Sequence, residues 1–206
     1  MFFNRMLFKG APGQLPALRQ AMRGVIQPGS PLVLAERLWG DGPCFALLRA
    51  FETLDELEKA RDAAFAGPPP FSVVAPLLRE PPANELWELP DISLANPPAA
   101  GAGTGRFTVR WRFDPVIGKG GELIQAVRGM AADIGGDRPS SFWLRVAGGP
   151  FSVGLVYAYE SLAAIEQARA AAMANPRIIE HRQKLACLVT PPNDTPEIFE
   201  ILVRPG

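Results

Sequence analysis

The segment Leu18-Arg19-Gln20-Ala21-Met22-Arg23-Gly24-Val25 recurs as Leu123-Ile124-Gln125-Ala126-Val127-Arg128-Gly129-Met130. At the same offset Phe8 matches Phe113 and Gly13 matches Gly118. The matches continue in order. Gly42-Pro43 falls on Gly149-Pro150, Phe51-Glu52-Thr53-Leu54 on Tyr159-Glu160-Ser161-Leu162, and Pro68 on Pro176. Glu85-Leu86-Trp87-Glu88-Leu89 falls on Glu197-Ile198-Phe199-Glu200-Ile201. The offset grows by a few residues along the way, as loop insertions would produce. Such a repeat constrains the fold more than any single motif does, because each copy has to form one supersecondary unit and the copies have to cover each other. The chain therefore reads as a tandem duplication, with a first unit over 1–90, a linker over 91–105 and a second unit over 106–206. The linker is compositional: Pro97-Pro98 stiffens it, and Ala99-Ala100-Gly101-Ala102-Gly103 has little to bury.

Periodicity gives each unit its elements. In Arg106–Phe113, Phe107, Val109, Trp111 and Phe113 share one face while Thr108, Arg110 and Arg112 share the other, which is strand alternation. Leu123, Val127, Met130 and Ile134 then recur at helical spacing. Ser141–Val146 and Phe151–Tyr159 read as strands joined by the turn Gly148-Gly149-Pro150. Ser161 is a natural cap for a second helix, and Asn175-Pro176 ends it. Leu185–Val189 reads as a fourth strand and Glu197–Val203 as a short terminal one. The order β-α-β-β-α-β is the split βαβ, ferredoxin-like arrangement. Two helices on one face of an antiparallel sheet leave the other face bare. Neither face of Phe151–Tyr159 carries a charge, so the bare faces are expected to pack sheet to sheet. The predicted fold class is α+β: two ferredoxin-like repeats forming an intrachain dimeric α+β barrel.

From Tyr157-Ala158-Tyr159-Glu160-Ser161-Leu162, through an Ala- and Arg-rich helix and Asn175-Pro176, to Lys184–Val189 and Glu197–Leu202, the chain resembles the NIPSNAP family. More broadly it is similar to the dimeric α+β barrel superfamily. Ile178 and Ile179 stand where NIPSNAP members often carry an aromatic residue. The resemblance implies a barrel with a central cavity. It implies little chemistry, because that superfamily holds cofactor-free monooxygenases, haem-degrading enzymes and isomerases alike.

Formal net charge is zero, so the chain has no basic surplus for a nucleic acid, and no apolar run reaches membrane-spanning length. Two cysteines, Cys44 and Cys187, sit in strand-like patterns; they read as buried free thiols in a reduced, cytoplasmic compartment. One histidine, His181, lies among charged neighbours and reads as a residue of a solvated turn. Neither a metal cluster nor a nucleophile motif is visible, and no cofactor is expected. Gly101-Ala102-Gly103-Thr104-Gly105 precedes a strand where a phosphate loop would precede a helix.

The arginines carry more. Arg5 aligns with Arg110, and strand alternation points Arg110 and Arg112 to the inter-sheet side, where a guanidinium can fix an anionic or carbonyl group. Trp143 and Tyr157 are candidate cavity walls. The predicted ligand site is therefore Arg5, Arg110, Arg112, Trp143 and Tyr157, with a small apolar or anionic molecule as partner. The cavity is expected in the second half. Two functions fit: a small-molecule-binding or assembly protein, or a cofactor-independent monooxygenase acting on a small apolar substrate. A sealed apolar interior favours assembly, and a cavity holding Arg110 or Tyr157 favours the enzyme. The assembly unit is expected to be a monomeric pseudo-dimer or a homodimer.

Overall fold

The computed structural model describes residues 1–27, 29–40, 42–66, 71–90, 105–135, 140–191 and 196–204. The predicted linker, but for Gly105, lies outside them. The elements are β1 (Phe2–Lys9), α1 (Leu15–Val25), β2 (Leu32–Trp39), β3 (Cys44–Phe51), α2 (Leu54–Phe65), β4 (Ala83–Glu88), β5 (Phe107–Phe113), α3 (Gly120–Gly135), β6 (Ser140–Ala147), β7 (Ser152–Tyr159), α4 (Leu162–Ala174), α5 (Pro176–Ala186) and β8 (Glu197–Val203).

All eight strands form one closed antiparallel barrel in the order β1-β3-β2-β8-β5-β7-β6-β4. Strands β1 to β4 therefore stand in the order β4-β1-β3-β2, and β5 to β8 in the order β8-β5-β7-β6. The two arcs join edge to edge, β2 on β8 and β4 on β6. Closure leaves no strand edge free among these eight.

Strand alternation sorts side chains between two layers. The outward side packs under the helices. Phe8, Leu34, Phe45 and Leu47 meet Leu18 and Met22 of α1. Phe113, Phe142, Leu155 and Tyr157 meet Leu123 and Val127 of α3 and Leu185 of α5. Each such fully buried apolar side chain contributes about 1.5–3 kcal/mol relative to exposure. Ser161 caps α4 by accepting from Ala164 N. No helix of the described residues is long and apolar enough to cross a membrane.

Four sequence expectations are corrected. Leu185–Val189 is not a strand: Asn175 ends α4 and also caps α5, accepting from Arg177 N, with Pro176 at the first helical turn. Its apolar residues serve a helix face, Ile178 and Leu185 being buried. The fourth strand of the second half is Glu197–Val203, the predicted tail. His181 is therefore helical, not in a turn. Cys187 follows α5 and is exposed, whereas Cys44 is buried in β3.

Candidate functional site

The inward layer of the barrel is not apolar throughout. It holds Arg5, Arg37, Arg110, Arg145 and Glu85, all at most 7% exposed, together with Glu197. Glu85 accepts from Arg5 Nη1 and Arg145 Nη1, each at 3.1 Å, and from Trp87 Nε1 at 3.0 Å. Glu197 accepts from Arg37 Nη1 at 2.7 Å, Arg110 Nη1 at 3.3 Å and Arg5 Nη2 at 3.4 Å. The outer arginines also tie down their turns. Arg37 Nε and Nη2 donate to Gly42 O, and Arg145 Nε and Nη2 donate to Pro150 O and Ser152 Oγ. These groups occupy matching places in the two arcs. Arg5 is opposite Glu85 on β1–β4 as Arg110 is opposite Glu197 on β5–β8. Arg145 is opposite Trp87 as Arg37 is opposite Phe199. Burial pushes the Glu197 carboxyl up, but the charge of Arg5, the hydrogen bond and charge of Arg37, and Arg112 outweigh it, leaving the pKa below the ordinary glutamate value.

The apolar part of the interior breaks this match, and the break makes a cavity. On one side Phe3 stacks on Trp143 with centroids 4.8 Å apart, and Trp87 packs against Trp143 at 6.3 Å. Gly154 makes room there: a Cβ on it would lie 3.2 Å from the Trp87 ring. At the matching places on the other side stand Thr108 for Phe3, Ala35 for Trp143 and Phe199 for Trp87. The volume those smaller residues leave is a cavity of about 30 Å³, lined by Arg5, Ala35, Thr108, Arg110, Trp143 and Phe199 among others. A water needs roughly 10–15 Å³ measured in this way, so about two or three water-sized occupants fit.

Arg110 stands over this cavity incompletely paired. Its Nε and Nη2 make no hydrogen bond. Nη2 faces Glu85 Oε2 at 3.6 Å, beyond hydrogen-bond reach, and the guanidinium lies 4.4 Å from the centroid of the Trp87 ring.

A second concavity, about 370 Å³ and open to solvent, lies where β2 ends beside the start of α1, lined by Leu15, Glu36, Arg37, Leu38, Trp39 and Pro43. All its lining belongs to the first half. The expectation of a cavity confined to the second half fails, because the interior cavity draws on both halves and the larger concavity on the first.

Of the residues singled out from sequence, the structure brings Arg5, Arg110 and Trp143 together around the cavity. Arg112 shares their face but lies at the barrel end, its side chain 42% exposed and paired with Asp114 at 3.3 Å. Tyr157 faces the helices, buried against α3 and α5, because it has the parity of Val153 and Leu155 rather than of Gly154 and Val156. Sequence reasoning missed Arg37, Arg145, Glu85 and Glu197. A signal was present: Glu85 and Glu197 fall on one another when the two halves of the sequence are aligned, and Arg37 and Arg145 each interrupt an apolar strand.

His181 Nε2 lies 2.7 Å from Asp133 Oδ2 between α5 and α3, outside the barrel. That contact, chiefly the hydrogen bond, holds the Asp133 carboxyl below its usual range. No group of three or more metal-ligating side chains occurs among the described residues.

No family model matches this chain, and no curated protein matches it in sequence. Solved structures do match in fold. An anthrone oxidase-like protein aligns with a TM-score of 0.65 at 13% identity, covering 98% of this chain and 91% of its own. A candidate monooxygenase from Fusobacterium nucleatum aligns with a TM-score of 0.67 at 9% identity, over 98% and 92%. A heme-binding protein from Thermus thermophilus aligns with a TM-score of 0.53 at 12% identity, over 98% and 91%. These neighbours are dimeric α+β barrel proteins, and the likeness is one of fold. A haem fits neither place where this chain could offer one. The interior cavity is about 30 Å³, far below the several hundred Å³ a cofactor site needs. His181 is engaged with Asp133 and lines neither concavity.

Proposed function

We propose that this chain is a small-molecule-binding barrel, NIPSNAP-like in type and built from two copies of one ferredoxin-like unit, whose ligand presents a polar or anionic group to Arg110. One observation carries the reading: a guanidinium 4% exposed, with two nitrogens lacking hydrogen bonds, lines an interior cavity. Buried polar groups are nearly always satisfied, so such an exception points to an occupant. A pure assembly role would suit a sealed apolar interior, and this interior is charged. A cavity holding Arg110 is the feature expected of the enzyme, but at about 30 Å³ it takes no substrate larger than a few atoms, which favours binding over turnover there. The barrel closes within one chain, so a second copy is not needed to complete the site. Native mass spectrometry of the purified protein beside a denatured control tests the reading. A mass excess lost on denaturation is the expected result. A clean mass, with no stabilisation by small anions or carboxylic acids, overturns it.

A cofactor-independent monooxygenase is the second reading. Its specific support is the open concavity of about 370 Å³ beside Leu38 and Trp39, with Arg37 in its lining. That size falls in the range of roughly 300–1,000 Å³ typical of small-molecule sites. Fold neighbours described as a monooxygenase and as anthrone oxidase-like add a likeness of fold. Oxygen uptake with an anthrone as substrate, lost in Trp39→Ala, would favour it; no uptake leaves the binding reading in place.

A further inference from the structure

We infer that the barrel interior holds one small monovalent anion of one to three heavy atoms beside the guanidinium of Arg110. This rests on the binding reading above and narrows its ligand.

Charge comes first. The inward face carries the guanidiniums of Arg5, Arg37, Arg110, Arg112 and Arg145 against the carboxylates of Glu85, Glu197 and Asp114. Positive charge is in excess, and an uncompensated buried charge is strongly unfavourable. Geometry then locates the deficit. Glu85 and Glu197 are each shared by several guanidiniums, and Arg110 receives the weakest share: one long hydrogen bond at 3.3 Å and one ion pair at 3.6 Å. Its two unsatisfied nitrogens belong to one edge of the guanidinium, the fork that grips an anion.

Size and lining decide the class. The cavity of about 30 Å³ admits a halide, nitrite or formate but no larger organic acid. Its other walls include Val33, Ala35, Ala46 and Leu48, which offer no donors. An ion entering it must shed water, so weakly hydrated ions are favoured over sulfate or phosphate. A water alone could satisfy the two N–H groups and would leave the charge uncompensated. The cavity exists because Ala35 and Thr108 stand where the other side of the barrel has Trp143 and Phe3, so the chain keeps a hole beside the most weakly paired guanidinium of the interior network.

The test uses the full chain, desalted into a buffer whose counter-anion is a large sulfonate. Sodium bromide and sodium formate are titrated against thermal unfolding, with sodium sulfate at matched ionic strength as the control. The expected result is a saturable rise in Tm with bromide or formate and none that saturates with sulfate. Ala35→Val fills the cavity without touching a charge and is expected to abolish the response. Arg110→Lys keeps the charge but loses the fork and is expected to weaken apparent affinity at least about ten-fold. A crystal grown with bromide should show an anomalous peak beside Arg110 Nε. No peak there, or an undiminished response in Ala35→Val, overturns the inference. If bromide fails while native mass spectrometry reveals an organic ligand, the anion assignment falls and the binding barrel stands. If both fail, both fall.

Discussion

Replacing Glu85 by glutamine tests whether the interior charges form one interdependent network. The amide keeps the shape of the side chain but loses its charge and one acceptor, and it adds donors facing guanidiniums. Glu85 receives Arg5 and Arg145 at 3.1 Å each and Trp87 at 3.0 Å, and it faces Arg110 at 3.6 Å. Without its charge, Glu197 is left as the carboxylate serving Arg5, Arg37 and Arg110. Removing one partner of a buried ion pair costs about 3–5 kcal/mol, most of it the desolvation of the charge left behind. For a chain of this length a loss of 1 kcal/mol lowers Tm by about 2–4 °C, so the expected drop is roughly 6–20 °C. Urea unfolding gives the free energy directly, provided the slope is unchanged. Asp55→Asn is the control: its pair with Lys59 has both side chains more than two-thirds exposed, at 75% and 68%, and should be worth about 0.5 kcal/mol or less. Glu85→Gln costing under about 1 kcal/mol would refute the network, because the pair would then behave like a surface one.

Trp143→Ala removes a ring stacked on Phe3 and should cost about 3–5 kcal/mol by urea unfolding, whereas Trp39→Ala, at a residue 67% exposed, should cost far less. The folded pKa of Glu197 is net depressed, so its contribution is present above the unfolded glutamate value and is lost as pH falls through the folded one. Tm should therefore decline on acidification below about pH 4.5, and Glu197→Gln should flatten that limb. Burial raises the Cys44 thiol pKa, whereas Cys187 is exposed. A thiol reagent at neutral pH should thus label one cysteine per chain in the native state and the second only on unfolding; rapid double labelling would contradict the placement of Cys44.

Much of the fold was legible because alternation and helical spacing are local. Phe107, Val109 and Phe113 against Thr108 and Arg110 gave β5 its two faces, and Leu18 with Met22 gave α1 its buried stripe. Leu185–Val189 misled because a short apolar run reads alike in a strand and at the end of a helix. The caps of α5, Asn175 and Pro176, resolve the ambiguity only once Asn175 is allowed both to end one helix and to start another. The site was half legible. Arg5 and Arg110 emerged from aligning the two halves of the sequence, but Arg37 and Arg145 join them only through pairings between arcs, β2 on β8 and β4 on β6, which no local pattern encodes. Tyr157 was misplaced for a different reason. Both faces of β7 are apolar, so nothing in its sequence says which one looks inward.

Arg5 and Glu197, in contact inside the barrel, are 192 residues apart in sequence, and Arg37 and Glu197 are 160 apart. On the ribosome β1 to β7 emerge before β8 exists, so the edges of β2 and β5 and the guanidiniums behind them have no cover until the last strand arrives. Chains dominated by such non-local pairings fold slowly, because loop-closure entropy is spent before the contacts form. The barrel gap that β8 fills is then the interval in which this protein is most exposed to misassociation, and a chaperone that shields the open arc would act there.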